Sequence, residues 1–272
     1  MYLSPPYNKN KIGLMGPVKF LKEIEYKAIK DGEKIIKGEI AHDISDGPEY
    51  SELLFNNNGQ MIEKKDFQFG NKQFYHKDMF FYNDFGQLIL AESYDSENKL
   101  SEFRKYNYIS DRWGNILETK CYSDDGNIWT HWKQTLQYDD KNIVKGKLIN
   151  YITGFITYDN TSSTIVFKRD IFGNILEEVH TDNSYTHVSK FDSRGNLIEE
   201  DKIENNQSID KDLYIYDHQN FLIEQLDFKN NNLFRRWKYK DFQVDTFNNW
   251  RSRTVYFHDE PCFVTERLIL YF

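Results

Sequence analysis

The sequence predicts an all-β chain: a long antiparallel meander of repeated β-hairpins curled into a half-pipe, a spiral or a wide barrel. Three observations predict it. One turn pattern recurs eight times, the intervals between its copies suit two strands and two turns, and aromatic residues reach 17% of the 272 residues. Aromatic side chains fit a pleated, half-buried surface better than a helix.

Residues 1–15, with Pro5 and Pro6 among Asn and Lys, form the expected N-terminal arm. Residues 16–272 form a single β domain, because no Pro-, Gly- or Ser-rich linker divides them. The domain opens with a hairpin. Val18, Phe20, Ile24 and Tyr26 alternate as a strand does, Asp31-Gly32 supplies the turn, and Ile35, Ile36 and Ile40 mark the return. A helix over 21–29 is the competing reading, since Leu21, Ile24, Glu25 and Ala28 also share a helical face.

The repeated turns centre on Gly59, Gly86, Gly114, Asn142, Gly173, Gly195, Asn220 and Asn248. Gly and Asn are the residues that adopt positive φ most readily. Three residues before each centre stand Asn56, Asn83, Asp111, Asp139, Asp170, Asp192, Asp217 and Asp245, whose side-chain oxygens accept hydrogen bonds from the turn backbone. An apolar residue follows two after each centre, from Met61 to Trp250, and aromatics such as Phe55 and Tyr82 often precede by four. This is a hairpin built on a type I turn closed by a left-handed residue.

The centres lie 27, 28, 28, 31, 22, 25 and 28 residues apart, too far for one strand and a turn. Second turns therefore stand between them, at Ser96-Glu97-Asn98, Asp124-Asp125-Gly126, Asp182-Asn183, Asn205-Asn206, Asn230-Asn231-Asn232 and His258-Asp259. About sixteen strands result, beyond the roughly ten that an open twisted sheet holds without curling.

The phrases Phe191-Asp192-Ser193-Arg194-Gly195-Asn196-Leu197 and Tyr82-Asn83-Asp84-Phe85-Gly86-Gln87-Leu88 resemble the YD repeats of bacterial Rhs-type proteins. Gly16-Pro17-Val18-Lys19 opens the similarity, and Asn249-Trp250-Arg251-Ser252-Arg253-Thr254-Val255-Tyr256 closes it. In those proteins the repeats build a spiralling sheet around a toxin. The resemblance implies a small stand-alone relative from a toxin-associated setting.

A formal net charge of −8 argues against nucleic acid, which calls for a basic patch, and suits a basic protein partner. No stretch reaches the roughly 18 apolar residues of a membrane-spanning helix, and no apolar leader is visible at the N-terminus, so a cytoplasmic location without membrane contact is expected. Cys121 and Cys262 do not make a disulfide framework. His180 and His187 flank one turn without further ligands, so neither metal nor cofactor is expected, and no nucleophile, base and orienting group come together in the sequence.

The candidate contacts are Trp129 and Trp132 after one turn and Arg235, Arg236 and Trp237 after another, residue types enriched at binding hot spots. Glu177 and Glu199 recur four residues after their centres, as do Glu63, Glu118 and Glu224, and form an acidic ladder if the hairpins stack in register. The expected function is non-enzymatic binding of a basic protein, most specifically as an immunity protein that neutralises a cognate toxin. The alternatives are an envelope or surface interaction module, with carbohydrate as one candidate ligand, and an Asp/Glu-dependent hydrolase.

Overall fold

A computed structural model describes residues 13–41, 50–68, 73–110, 116–122, 126–139, 142–152, 161–170, 174–181 and 184–272. Among them every regular element is a strand, and no helix is long and apolar enough to cross a membrane. In chain order come β1 (Val18–Asp31), β2 (Lys34–Ile40), β3 (Tyr50–Phe55), β4 (Met61–Phe67), β5 (Phe74–Tyr82), β6 (Leu88–Asp95) and β7 (Leu100–Ser110). There follow β8 (Ile116–Tyr122), β9 (Ile128–Asp139), β10 (Asn142–Ile152), β11 (Thr161–Arg169), β12 (Ile175–Thr181) and β13 (Thr186–Phe191). The last are β14 (Leu197–Glu204), β15 (Gln207–Tyr216), β16 (Leu222–Lys229), β17 (Asn232–Val244), β18 (Trp250–Phe257) and β19 (Glu260–Tyr271). The all-β antiparallel meander is therefore the observed architecture. The chain forms two compact units, one of Met1–Lys105 with Lys238–Phe272 and the other of Tyr106–Trp237.

The N-terminal hairpin forms as β1 and β2, with Gly32 at φ 62°, and the helix over 21–29 does not. Within the first unit β1 departs from the meander. It pairs with β19 on one side and with β3 and then β2 on the other, so the last strand of the chain borders the first. The hydrophobic core gathers where they meet. Leu14, Val18, Leu21, Phe55, Met61 and Ile269 are each at most 4% exposed, with Leu53, Phe80 and Tyr271 packed around them. Leu14 and Met15 belong to this anchored region, because Met15 exchanges backbone bonds with the Asn249 side chain at 2.6 and 2.9 Å.

The turn chemistry follows residue by residue. Asn56 accepts from Asn58 and Gln60 on Oδ1, each at 3.0 Å, while Gly59 N–H donates to Asn56 C=O at 2.8 Å. Asn83, Asp192, Asp217 and Asp245 repeat these bonds. Gly59, Gly86, Gly195, Asn220 and Asn248 all have positive φ, between 63° and 83°. The centres at Gly114 and Gly173 lie outside the described residues, as do Asp124-Asp125 and Asp182-Asn183, although Asp170 and Asn174 still make the flanking bonds. Asn142 differs: it is the first residue of β10 and pairs directly with Asp139.

Three features were not expected. Asn98 is a further copy of the same turn, with φ 59° and with Asp95 accepting from Glu97 and Lys99. The opposite-end turns at Asn205-Asn206, Asn230-Asn231 and His258-Asp259 instead have two successive positive φ values, the two-residue connection that matches strand twist. The third residue after five of the centres, Ile62, Ile89, Leu176, Ile198 and Ile223, is skipped in the register, so these five repeats each carry a β-bulge. Neighbouring turns are also stitched sideways, by Gln60 Nε2 to Gly86 C=O at 2.9 Å and by Asn196 Nδ2 to Asn220 Oδ1 at 2.5 Å.

Gly195 isolates the backbone component of this design, because a Cβ built there meets nothing within 4 Å. Gly195→Val is accordingly expected to cost about 1–2 kcal/mol from left-handed strain alone. Gly195→Asn recovers most of that loss, as Asn220 and Asn248 hold the same conformation. Chemical denaturation of the three proteins checks the order.

Candidate functional site

The expected contact residues fall at separate places. Trp129 and Trp132 lie on β9, the latter opposite Thr119 of β8 and Asn150 of β10; their side chains are outside the described residues. Arg235, Arg236 and Trp237 lie on β17. Arg235 is exposed with its guanidinium 4.8 Å from the Phe234 ring centroid, and Arg236 Nε donates to Glu224 Oε1 at 2.6 Å.

The glutamates lie beside lysines rather than in a bare acidic ladder. Glu177 sits opposite Lys168 on β11 and Lys190 on β13, and Glu199 Oε1 lies 2.9 Å from Lys190 and 3.1 Å from Lys211. Burial works to raise the Glu199 carboxyl, but the bonds from Lys190 and Lys211 outweigh it and hold it low. Glu118 is likewise met by His131 at 2.9 Å and Lys133 at 3.3 Å, and Glu63 by Lys65 at 2.7 Å. An intervening strand separates the glutamates of successive turns; neighbouring strands supply the cations that meet Glu118 and Glu199, whereas Lys65 meets Glu63 from the same strand.

The uncompensated acidity lies one residue away. Glu200 of β14 is opposite Asp212 of β15, which is in turn opposite Asp227 of β16, so three carboxylates stand in one cross-strand row. Like charges placed directly opposite destabilise a sheet. Burial, then the charges of Asp227 and Glu200 and a hydrogen bond with Asp227, push the Asp212 carboxyl up to about 6. Tyr214 Oη donates to Glu200 Oε2 at 2.9 Å, and Gln225 Nε2 donates to Asp227 Oδ1 at 2.9 Å. Burial and the bond to Glu200 raise the Tyr214 hydroxyl, keeping it a donor. On β12, burial also raises the Glu178 carboxyl.

The adjacent row differs. Lys202, Asp210 and Lys229 alternate in charge across the same three strands. His180 and His187 do face each other as the spacing suggested, with ring centroids 6.4 Å apart. Among the described residues no group of three His, Cys, Asp or Glu is arranged to hold a metal ion. The carboxylate row presents charge and hydrogen-bond acceptors on a regular sheet face, which suits docking of a cationic surface.

No family model matches the chain, and no curated protein matches it. Among solved structures, similar chains include a porin-like protein from Bacteroides uniformis, at 9% identity and a TM-score of 0.39, covering 94% of this chain and 99% of that one. Tc toxin components are also distant neighbours. A TcdB2-TccC3-TEV structure matches at 11% identity and a TM-score of 0.27, covering 84% of this chain and 16% of that one. A Photorhabdus luminescens Tc holotoxin pore matches at 12% identity and a TM-score of 0.25, covering 88% of this chain and 15% of that one. At these scores the likenesses carry no argument about function.

Proposed function

We propose that this protein is a non-enzymatic scaffold that binds a basic protein, with the carboxylate row on β14, β15 and β16 as its docking face. The observation that carries the reading is the direct opposition of Glu200, Asp212 and Asp227. Such a row is costly in the free protein and is relieved by a cationic partner, which also lets Asp212 ionise. The net charge of −8 adds long-range attraction that speeds encounter. In its most specific form the reading is an immunity protein acting in the cytoplasm on a cognate toxin, supported by the YD-like turns of the sequence.

Asp212→Asn with Asp227→Asn tests it. The raised Asp212 carboxyl means that the native state holds its proton more tightly than the unfolded chain does. Its favourable contribution is present below the ordinary Asp range and is lost as pH rises through about 6. The double variant is therefore expected to gain about 1 kcal/mol at pH 7, after allowance for solvent screening, and to lose that pH dependence. Co-expressed with the product of the neighbouring gene, the native protein is expected to form a complex whose association slows with salt, and the double variant to associate about tenfold more slowly. A native protein that captures no partner and protects no cell from that product overturns the reading. The Asp212 and Asp227 pair also favours a second reading, hydrolysis by a carboxylate dyad; turnover of a glycan or peptide, abolished by Asp212→Asn, would establish it instead.

A further inference from the structure

In the first unit two arginines converge on one aromatic ring. Arg267 Cζ lies 3.5 Å and Arg253 Cζ 4.3 Å from the Trp250 ring centroid, and Arg253 Cζ lies 4.4 Å from that of Tyr239. Trp250 is buried, and it occupies the apolar position two after the Asn248 centre. The two arginines are not equivalent. Arg267 Nε donates to Glu23 Oε2 at 2.7 Å, whereas Arg253 makes no hydrogen bond and no ion pair among the described residues.

Arg253 Nε is sealed from solvent, and so is Thr265 Oγ1 on the residue directly opposite; neither has a hydrogen-bond partner among the described residues. A buried donor left unmade costs about 1–3 kcal/mol, more when the group is charged. Contact with the aromatic rings stabilises the charge but accepts no hydrogen bond from Arg253 Nε. The N–H donors of a guanidinium lie in its plane, and the fork they form matches oxygens held two at a time on one planar or tetrahedral centre.

We propose that Arg253, with Thr265 and Arg267 beside it, forms a binding site for a small oxyanion, a carboxylate or phosphate group received in the plane of the Arg253 guanidinium. Arg267, already tied to Glu23, supplies charge rather than a free fork. Trp250 and Tyr239 hold the Arg253 guanidinium between them at 4.3 and 4.4 Å, so little side-chain freedom is lost on binding. This site does not rest on the docking of a basic partner, since it is in the other unit and has the opposite charge preference.

The test is calorimetric titration of the full chain, in chloride buffer of matched ionic strength, with inorganic phosphate in one arm and acetate in the other. Saturable one-site binding in either arm is expected, and the arm that saturates identifies the oxyanion. Arg253→Gln is expected to weaken binding about tenfold or more, as loss of a charge-assisted bond requires. Thr265→Val, similar in shape, is expected to weaken it severalfold without changing the strand circular dichroism. Should Arg253→Gln not fold, Arg253→Lys keeps the charge while losing the fork, and its failure to bind carries the same meaning. No saturation by either anion, or an unchanged affinity in the folded Arg253 variant, overturns the proposal and leaves the Arg253 charge balanced at longer range by Glu23 and Glu25, the carboxylates whose charges act on it.

Discussion

Phe55→Ala is expected to lower stability by about 4 kcal/mol. Phe55 enters the first regular turn four residues before Gly59, is 1% exposed, and packs with Leu14, Val18, Leu21, Met61 and Ile269. These neighbours come from the N-terminal segment, β1, β4 and β19. Truncation therefore opens a cavity whose walls belong to segments far apart in sequence and cannot collapse by a local adjustment. Phe85 provides the contrast, being a turn residue of the same type that is 89% exposed; Phe85→Ala is expected to change stability by less than about 0.5 kcal/mol. Urea unfolding of both variants, at constant slope, measures the difference. Equal midpoints would show that the core does not gather where β1 meets β19.

Asn249→Ala is expected to cost about 3 kcal/mol. The side chain is 1% exposed, and its amide makes three bonds: it accepts from Met15 N–H at 2.6 Å and donates to Met15 C=O at 2.9 Å and to Tyr271 Oη at 2.8 Å. Each bond contributes about 1 kcal/mol net, so the loss of all three gives the expected figure. Tyr271 continues the network by donating to Asp245 Oδ2, and burial with that bond pushes its hydroxyl up to about 12. The residue thus joins the last regular turn, the N-terminal segment and the final strand. A double-mutant cycle with Tyr271→Phe is expected to show coupling of about 0.5 kcal/mol or more, because the two side chains share one bond. Additive losses would remove Tyr271 from the clamp.

The regular turns were legible because their chemistry is local. An Asp or Asn whose oxygen reaches two and four residues ahead, and a Gly or Asn that tolerates positive φ, produce the same bonds wherever they recur. Even the copy at Asn98 carries that signature, in Asp95 three residues before and Leu100 two after. It was grouped with the opposite-end turns because it falls between two regular centres. The N-terminal hairpin was legible for the same reason, from alternation and one Gly.

The pairing of β1 with β19 had no such signal, since its partners lie more than 200 residues apart and are selected by long-range contacts such as the burial of Leu21 with Ile269 and the bond of Arg267 to Glu23. Nor was the carboxylate row visible. Glu199 and Glu200 are chain neighbours with opposite fates, one held by two lysines and the other facing Asp212. Which becomes which depends on a bulge at Ile198 and on the irregular step between β14 and β15. Thus the all-β class and the regular turns were set by residues within a few positions of one another. The company of each charged side chain, including that of Arg253 beside Thr265, was decided by strand register, because a slip of one residue moves a side chain to the other face of the sheet.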